Sequence, residues 1–309
     1  MYKIEANAPI ISSIFLTGRR LAGRASLINS CCRFVKPVFF NVAAKTRSLI
    51  LVILAIGCVH PNPGPRNLPP PPPSRILSWN CNGLGNSAAE LRDYLLRNNV
   101  LVACIQETKL GPDSRLPSFP GYAFIRKDHG AGGGGLVTLV HHSLSYVTVD
   151  SPINDGVSEV IIVKVSIAGK DLHVANVYVP PASSTNIPPL FRLSFAPLFA
   201  FTDIVILGDV NGHNEEWSRG APDTRGDRLA AEVDDFNFAV LNNPDISTRP
   251  CSDTSPDVAF APTSWALSFD WIASTALNSD HLPISLLIAD ERSLPRGGRT
   301  YVNFRAAKW

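Results

Sequence analysis

Five short clusters in this chain combine carboxylate, amide, phenol and imidazole groups, and each closes an apolar run. They are Trp79-Asn80-Cys81-Asn82-Gly83, Ile105-Gln106-Glu107-Thr108, Val177-Tyr178-Val179-Pro180, Leu207-Gly208-Asp209-Val210-Asn211 and Ser279-Asp280-His281-Leu282-Pro283. One such cluster is a plain turn, because polar groups at a solvent-facing strand end cost nothing. Five of them converging on one rim would join hard anionic oxygens to amide, phenol and imidazole groups. That set can hold a divalent cation and a phosphate.

Stepping along the chain from these clusters gives the elements that must carry them. Arg75–Asn80 (RILSWN) and Val100–Gln106 (VLVACIQ) have the short apolar runs of buried strands that deliver polar side chains at their tips. Between them, Ser87 to Asn98 predicts a helix with Leu91, Leu95 and Leu96 on one face, Ser87 as its N-cap and Glu90 at N3. Further strands are predicted at Tyr122–Arg126, Leu136–His141, Val160–Ile167, Leu172–Tyr178, Ile204–Leu207, Asp257–Phe260, Phe269–Ser274 and Ile284–Ile288, with a helix over Gly226–Leu241. Many strands and few helices over this length imply an α/β sandwich with mixed sheets.

Charge is unevenly distributed. Residues 1–66 carry nine Lys/Arg against Glu5 alone, and residues 291–309 carry five against Glu291 alone. The middle, 67–290, holds 14 basic and 24 acidic residues. An acidic centre is a poor non-specific binder of nucleic acid, but it suits a site that gathers carboxylates around a cation. Hydrophobic residues make up 45% of the 309, enough for a sizeable core, which excludes a wholly disordered chain. The six cysteines lack the spacing of a disulfide framework or a zinc ribbon, favouring a reducing compartment.

The N-terminal segment has one strong feature, an eleven-residue apolar run from Leu49 to Val59. A bilayer span needs about 20 residues, so no membrane crossing is expected of it. It ends in Asn62-Pro63-Gly64-Pro65, and the proline run Pro69–Pro73 follows, a stiff spacer of polyproline II type. The expected organisation is a basic, poorly ordered segment over 1–65, a proline-rich linker over 66–74, a folded domain over 75–290 and a tail over 291–309.

In order and spacing, the five clusters resemble the exonuclease–endonuclease–phosphatase family, which includes AP endonucleases, DNase I-like nucleases and inositol-phosphate phosphatases. The resemblance covers roughly Arg75 to Ala289 and implies a four-layered sandwich of two mixed β-sheets flanked by helices. It also implies hydrolysis of phosphoesters with Mg²⁺ or Mn²⁺. Carried over residue by residue, Glu107 matches the metal-binding glutamate, Asn80 the asparagine that steadies it, and Asp280 a carboxylate near the metal. Asp209 and Asn211 match the pair that orients the attacking water and holds the phosphate. His281 matches the histidine on a non-bridging oxygen, Asp257 its aspartate partner and Tyr178 the tyrosine that reaches the phosphate. Asn82, Ser279 and Thr248 fall on the substrate side or behind these groups, and Asn82 stands where AP endonucleases carry an aspartate.

AP endonucleases also place an amide three residues after the tyrosine, where this chain has Pro181. That form resembles the endonucleases of non-LTR retrotransposons more closely. The segment Thr300–Trp309 resembles their lead-in to a reverse transcriptase, and Asn62-Pro63-Gly64-Pro65 resembles 2A-type ribosome-skipping peptides, with Cys58 and His60 where the active peptide is acidic. The resemblance thus implies a nuclear endonuclease that nicks one DNA strand and leaves a 3′-hydroxyl to prime reverse transcription, with a reverse-transcriptase domain as partner. Ending at Trp309 within that lead-in, the chain is expected to be a truncated element copy. The alternatives are a cellular repair endonuclease, a phosphatase of the same fold, or an inactive binding remnant.

Other polar features have plainer readings. Gly132–Gly135 lacks the Gly-Lys-Ser/Thr of a phosphate loop and reads as a hairpin approach. His141-His142 reads as a surface pair, Cys81 as a small core residue, and Glu232, Asp234 and Asp235 as a solvated helix face. His213 follows Asn211 closely and reads equally as a substrate contact or as a loop residue. Trp217 and Trp265 suit packing as well as base stacking.

Overall fold

A computed structural model describes residues 72–129, 133–167, 169–184, 187–188 and 190–289. The chain divides after Arg66 into two units. The first unit lies outside the described residues, with the Asn62–Pro65 tetrapeptide, most of the proline linker and the tail over 291–309.

The described domain runs β1 (Arg75–Asn80), α1 (Leu84–Arg97), β2 (Val100–Gln106), β3 (Tyr122–Lys127), β4 (Leu136–His141), β5 (Tyr146–Val149), β6 (Glu159–Ile167), β7 (Lys170–Tyr178) and α2 (Ala196–Phe199). It continues through β8 (Ile204–Asp209), α3 (Thr224–Asp235), β9 (Phe238–Val240), β10 (Asp257–Pro262), β11 (Phe269–Ala273) and β12 (Ile284–Ile288). One six-stranded sheet has the order β11-β12-β1-β2-β4-β3, the other β5-β6-β7-β8-β10-β9. Both are mixed: β1 and β2 are parallel, as are β7 and β8, among antiparallel neighbours.

Strand alternation separates three apolar layers. Ile76, Val102, Val140, Val163, Val174, Leu207 and Ala259 meet between the sheets. Leu77, Trp79, Ala103 and Ile105 face outward to pack against Leu84, Leu91 and Leu95 of α1. On the opposite side Val160, Ala175 and Ile206 pack against Phe195, Leu198, Leu229 and Val233, around α2 and α3. The result is a four-layered sandwich of two mixed β-sheets flanked by helices, as the resemblance implies.

The same alternation accounts for the site. On β2, β8 and β10 the inner row is apolar up to one polar end, whereas β1 and β7 carry a buried Ser78 and Asn176 in that row before theirs. Those ends are Asn80, Gln106, Tyr178, Asp209 and Asp257, all buried. Register aligns Asn80 with Gln106 in one sheet, and Tyr178 with Asp209 and Asp257 in the other. The site is therefore the polar end of the core between the sheets.

Four sequence readings are corrected. First, α1 begins at Leu84, with Gly83 as cap and no side-chain capping bond. Its first amides are satisfied from β2's end instead, Gly83 N donating to Glu107 O at 2.8 Å and Leu84 N to Thr108 O at 3.0 Å. Ser87 is buried and donates to Asn278 O at 3.0 Å, while Glu90 accepts from Asn278 N at 2.6 Å. Second, Leu96 is 71% exposed, since Leu91 and Leu95 already fill the inward stripe. Third, α3 ends at Asp235; Asn237 takes a left-handed φ of 57°, and Phe238–Val240 pair with β10 as an edge strand. Fourth, Glu232 is not simply solvated, because its carboxylate accepts from Phe195 N at 2.7 Å. The edge strand β5 carries mostly exposed residues and gave no buried alternation to read.

Candidate active site

The five polar clusters open onto one cavity of about 710 Å³. Asn82, Glu107, Tyr178, Asp209, Asn211, Asp280 and His281 line it, together with Lys109 and Arg249. Asn82, Glu107 and Asn211 each hold a left-handed φ of 46–47° just beyond a strand end. For non-glycine residues this conformation costs on the order of 1 kcal/mol and persists only where surrounding bonds over-determine it. Here they do. Asn80 Oδ1 accepts from Asn82 N at 3.1 Å, and Asp209 Oδ1 from Asn211 N at 2.9 Å. Behind Glu107, Gln106 Nε2 donates across the sheets to Asn176 Oδ1 at 2.8 Å and to Ser78 Oγ at 3.1 Å.

The buried side of the cavity gathers titratable groups. His281 Nδ1 lies 2.9 Å from Asp257 Oδ2, and Thr248 Oγ1 donates to that same oxygen at 2.6 Å. Burial alone would pull the imidazole down, but Asp257 foremost, then Asp209 and Asp280, hold it up at about 9. Asp209 is 1% exposed; burial and then the charge of Asp257 push its carboxyl up to about 7. Tyr178 is also buried, and burial followed by the charges of Glu107 and Asp209 keeps its hydroxyl protonated well above the ordinary phenol range.

Asn80 joins this side to the other. Its Nδ2 donates to Glu107 Oε1 at 2.9 Å and to Asp209 Oδ2 at 2.8 Å. With its oxygen given to Asn82 N, Asn80 clamps two carboxylates. Ser279 Oγ donates to Asn80 O at 2.7 Å and accepts from His281 N at 3.2 Å, which ties the last cluster to the first.

The more open edge is built of Glu107, Asn82 and Asp280. Asn82 Nδ2 donates to Asp280 Oδ1 at 3.3 Å, and Lys109 reaches both Asn82 Oδ1 and, at 3.6 Å, Glu107 Oε2. Arg249 lies against Asp280 Oδ2 at 2.8 Å. Asp209, Asp257 and His281 also place one ligand-type atom each within 4.8 Å of one another. Their near atoms are already committed to Thr248, Asn80 and each other, so the open edge is the better cation cradle. Its hard oxygens fit a divalent cation such as Mg²⁺, and the ammonium and guanidinium against it occupy positions of opposite charge to those oxygens.

Two arginines contribute that the sequence did not announce. Arg225 Nη1 donates to Pro180 O, Val210 O and Asn211 O at 2.9, 3.0 and 2.9 Å, knotting the Tyr178 turn to the Asp209 loop. Gly226 beside it lets α3 press on that loop, for a Cβ there would stand 1.9 Å from His213 O. Only a surface-like Thr-Arg-Gly marked this contact, without apolar patterning. Arg249 follows Thr248 in an irregular loop and carried no motif. His213 is held through its backbone, with Asp223 N donating to its carbonyl at 2.9 Å. Trp217 is buried packing, its Nε1 donating to Gly212 O at 3.0 Å, and Trp265 packs partly buried against the inter-sheet core. Cys81 is buried too, its thiol pushed up to about 12 by burial.

Comparison with known proteins agrees with this geometry. A family model described as endonuclease-reverse transcriptase matches residues 172–285. The RNA-directed DNA polymerase from mobile element jockey of Drosophila melanogaster is 26% identical over 219 residues, covering 69% of this chain and 23% of the relative. The probable RNA-directed DNA polymerase from transposon X-element of the same species is 25% identical over 226 residues, 70% of this chain and 24% of the relative. The chain thus spans about a quarter of the length of these relatives. Among solved structures, the endonuclease domain of TRAS1, a telomere-specific non-LTR retrotransposon, superposes with a TM-score of 0.57 at 20% identity, covering 70% of this chain and 98% of that one. The Xenopus laevis APE2 catalytic domain gives 0.53 at 18% identity, over 69% and 91%. On fold, the described residues share the two-sheet architecture of these endonuclease and APE2 domains, and on sequence they are similar to part of the retrotransposon proteins above.

Proposed function

We propose that this domain is a divalent-metal-dependent DNA endonuclease of a non-LTR retrotransposon, which nicks one strand and leaves a 3′-hydroxyl that primes reverse transcription. The observation that carries the reading is the meeting of Glu107, Tyr178, Asp209, Asn211, Asp280 and His281 around one cavity. A reverse-transcriptase domain elsewhere in a full-length element would use the primer, and the work would be done in the nucleus, where chromosomal DNA is.

Glu107 and Asp280, with the Asn82 oxygen, would hold Mg²⁺ or Mn²⁺, which when bound supplies positive charge to the phosphate. The chain's own groups divide the remaining work. Asp209, ionised above about pH 7, accepts the proton of an attacking water that Asn211 helps to orient. His281, protonated below about pH 9, donates from Nε2 to a non-bridging oxygen. Tyr178 stays protonated and donates through its hydroxyl. The new bond forms between water oxygen and phosphorus, and the bond to the 3′-oxygen breaks. That oxygen leaves with a proton as the 3′-hydroxyl, and the 5′-phosphate stays on the other fragment.

The test is incubation of the full chain with supercoiled plasmid, with Mg²⁺ or with EDTA. Nicked circles that a polymerase extends directly, formed only with the cation, are the expected product. Cutting that survives EDTA, or ends that need phosphatase treatment before extension, would refute the reading.

A further inference from the structure

Arg249 is the one arginine lining this cavity among the described residues, and no assigned role accounts for it. It arises from the irregular loop between β9 and β10, yet its root is fixed. Its backbone N donates to Thr254 O at 2.9 Å, Ser252 N donates back to its carbonyl at 3.1 Å, and Arg249 and Thr254 form a bridge. The preceding residue is tied to the catalytic groups themselves: Thr248 Oγ1 donates to Asp257, and Leu282 N donates to Thr248 O at 2.7 Å.

The guanidinium is only partly used. A guanidinium carries five N–H donors. Nε donates to Asp280 Oδ2 at 3.0 Å and Nη2 approaches the same oxygen at 2.8 Å, while Nη1 has no acceptor among the described residues. Doubling both nitrogens on one oxygen, with the other oxygen taken by Asn82, is not the paired fork that best satisfies arginine and carboxylate. The side chain keeps 42% of its surface exposed, towards the cavity. Lys109, by contrast, is engaged by Asn82 and Glu107.

We propose that Arg249 is a substrate-contacting residue, which gives its guanidinium to a non-bridging oxygen of the phosphodiester being cut while His281 Nε2 takes the other. Asp280 holds the guanidinium in place until a phosphate arrives. The planar fork suits the tetrahedral phosphate oxygens, as an ammonium would not. This rests on the nuclease reading above and adds a second positive donor where negative charge grows in the transition state.

The full chain and its R249A, R249K and R249Q variants test it, after circular dichroism has matched their melting profiles. Binding to a labelled 30-base-pair duplex is followed in EDTA from about 50 to 200 mM salt, and loss of one phosphate contact should lower the slope of log K against log salt by about 0.9. With Mg²⁺ and plasmid, R249A and R249Q should lower kcat about 10²-fold, and R249K should recover the slope but less than a tenth of kcat. An unchanged slope in R249A and R249Q overturns the proposal, even with kcat lowered, because the residue would then act only by positioning Asp280. Failure of the unmodified chain to nick plasmid would sink the nuclease reading instead, and the salt slopes would still decide the phosphate contact.

Discussion

Asp257 never faces the cavity, yet its replacement by asparagine should move the pH dependence of the reaction more than its size. Its Oδ2 serves both His281 Nδ1 and Thr248 Oγ1, and an amide keeps one acceptor oxygen for those two donors. What Asp257→Asn removes is the charge that holds His281 at about 9 and helps push Asp209 to about 7. Without it, only the charges of Asp209 and Asp280 oppose burial, and the imidazole should titrate lower. Asp209 should titrate lower as well. At pH 8 about four-fifths of the unmodified protein holds Asp209 ionised and His281 protonated together; a variant whose imidazole fell all the way to the ordinary 6.5 would hold roughly 3%, which sets the largest loss at about 30-fold. Near pH 6 the gap should close, because there the unmodified protein is limited by protonated Asp209. The assay is initial nicking rate on supercoiled plasmid from pH 5.5 to 9.5 at saturating Mg²⁺, beside the NMR titration of His281. Two profiles of the same shape, separated by one constant factor at every pH, would refute the reasoning.

Stability should carry the same signature in the metal-free protein. Both groups have folded values raised above their unfolded ones, so each stabilises at low pH. Asp209's contribution is full below about 3.8 and is lost as pH rises through about 7; His281's is full below 6.5 and lost through about 9. The urea midpoint should therefore fall from pH 6 to pH 10, by an amount on the order of 3 kcal/mol for His281, and Asp257→Asn should flatten that limb. Mg²⁺ at millimolar concentration should raise the melting temperature of the full chain and leave that of Glu107→Gln unmoved, read by differential scanning fluorimetry; equal shifts would place the cation elsewhere. Gly226→Ala, whose Cβ would fall 1.9 Å from His213 O, should cost about 2–4 kcal/mol in urea melts and most of the nicking rate. Gly169→Ala, with a positive φ of 78° but open space around it, should cost about 1 kcal/mol and no activity.

Strand positions were legible because an inner row that stays apolar until its last residue cannot be placed any other way in a two-sheet sandwich. Asp209 ends such a row and Asp257 begins one, while Asn80 and Tyr178 follow a buried Ser78 and Asn176 in theirs, so reading the strands also located the chemistry. Helix ends were less legible. The amides opening α1 are satisfied by the carbonyls of Glu107 and Thr108, just past β2 and about 24 residues onward, and no local capping signal records that. Nor did local sequence separate α3 from β9, since helical periodicity runs through Phe236 until Asn237 turns the backbone left-handed. Arg225 and Arg249 escaped for a related reason. An arginine that donates to backbone carbonyls or crosses a cavity is defined by what the fold brings to it, and its own neighbours in sequence say nothing about those partners.

The arrangement of charge gives the site its internal logic. Four carboxylates and a protonated imidazole packed at the end of a core would repel or neutralise one another if all were equally buried. The fold separates them by depth. Asp209, Asp257 and His281 lie 1–5% exposed and close to one another, while Glu107 and Asp280 lie nearer solvent, where a mobile cation can reach them. Among the described residues, the side chain that hydrogen-bonds to both groups of carboxylates is Asn80, a neutral donor whose two N–H bonds satisfy Glu107 and Asp209 without adding charge to either. An aspartate there would place a third carboxylate between two others, and an apolar residue would leave both oxygens short of a donor. Replacing Asn80 by leucine, which keeps the branched outline but no donor, should therefore raise Asp209 still further and carry the acid limb of the rate profile to higher pH. An acid limb that stays where it was would mean that the clamp is not what sets Asp209.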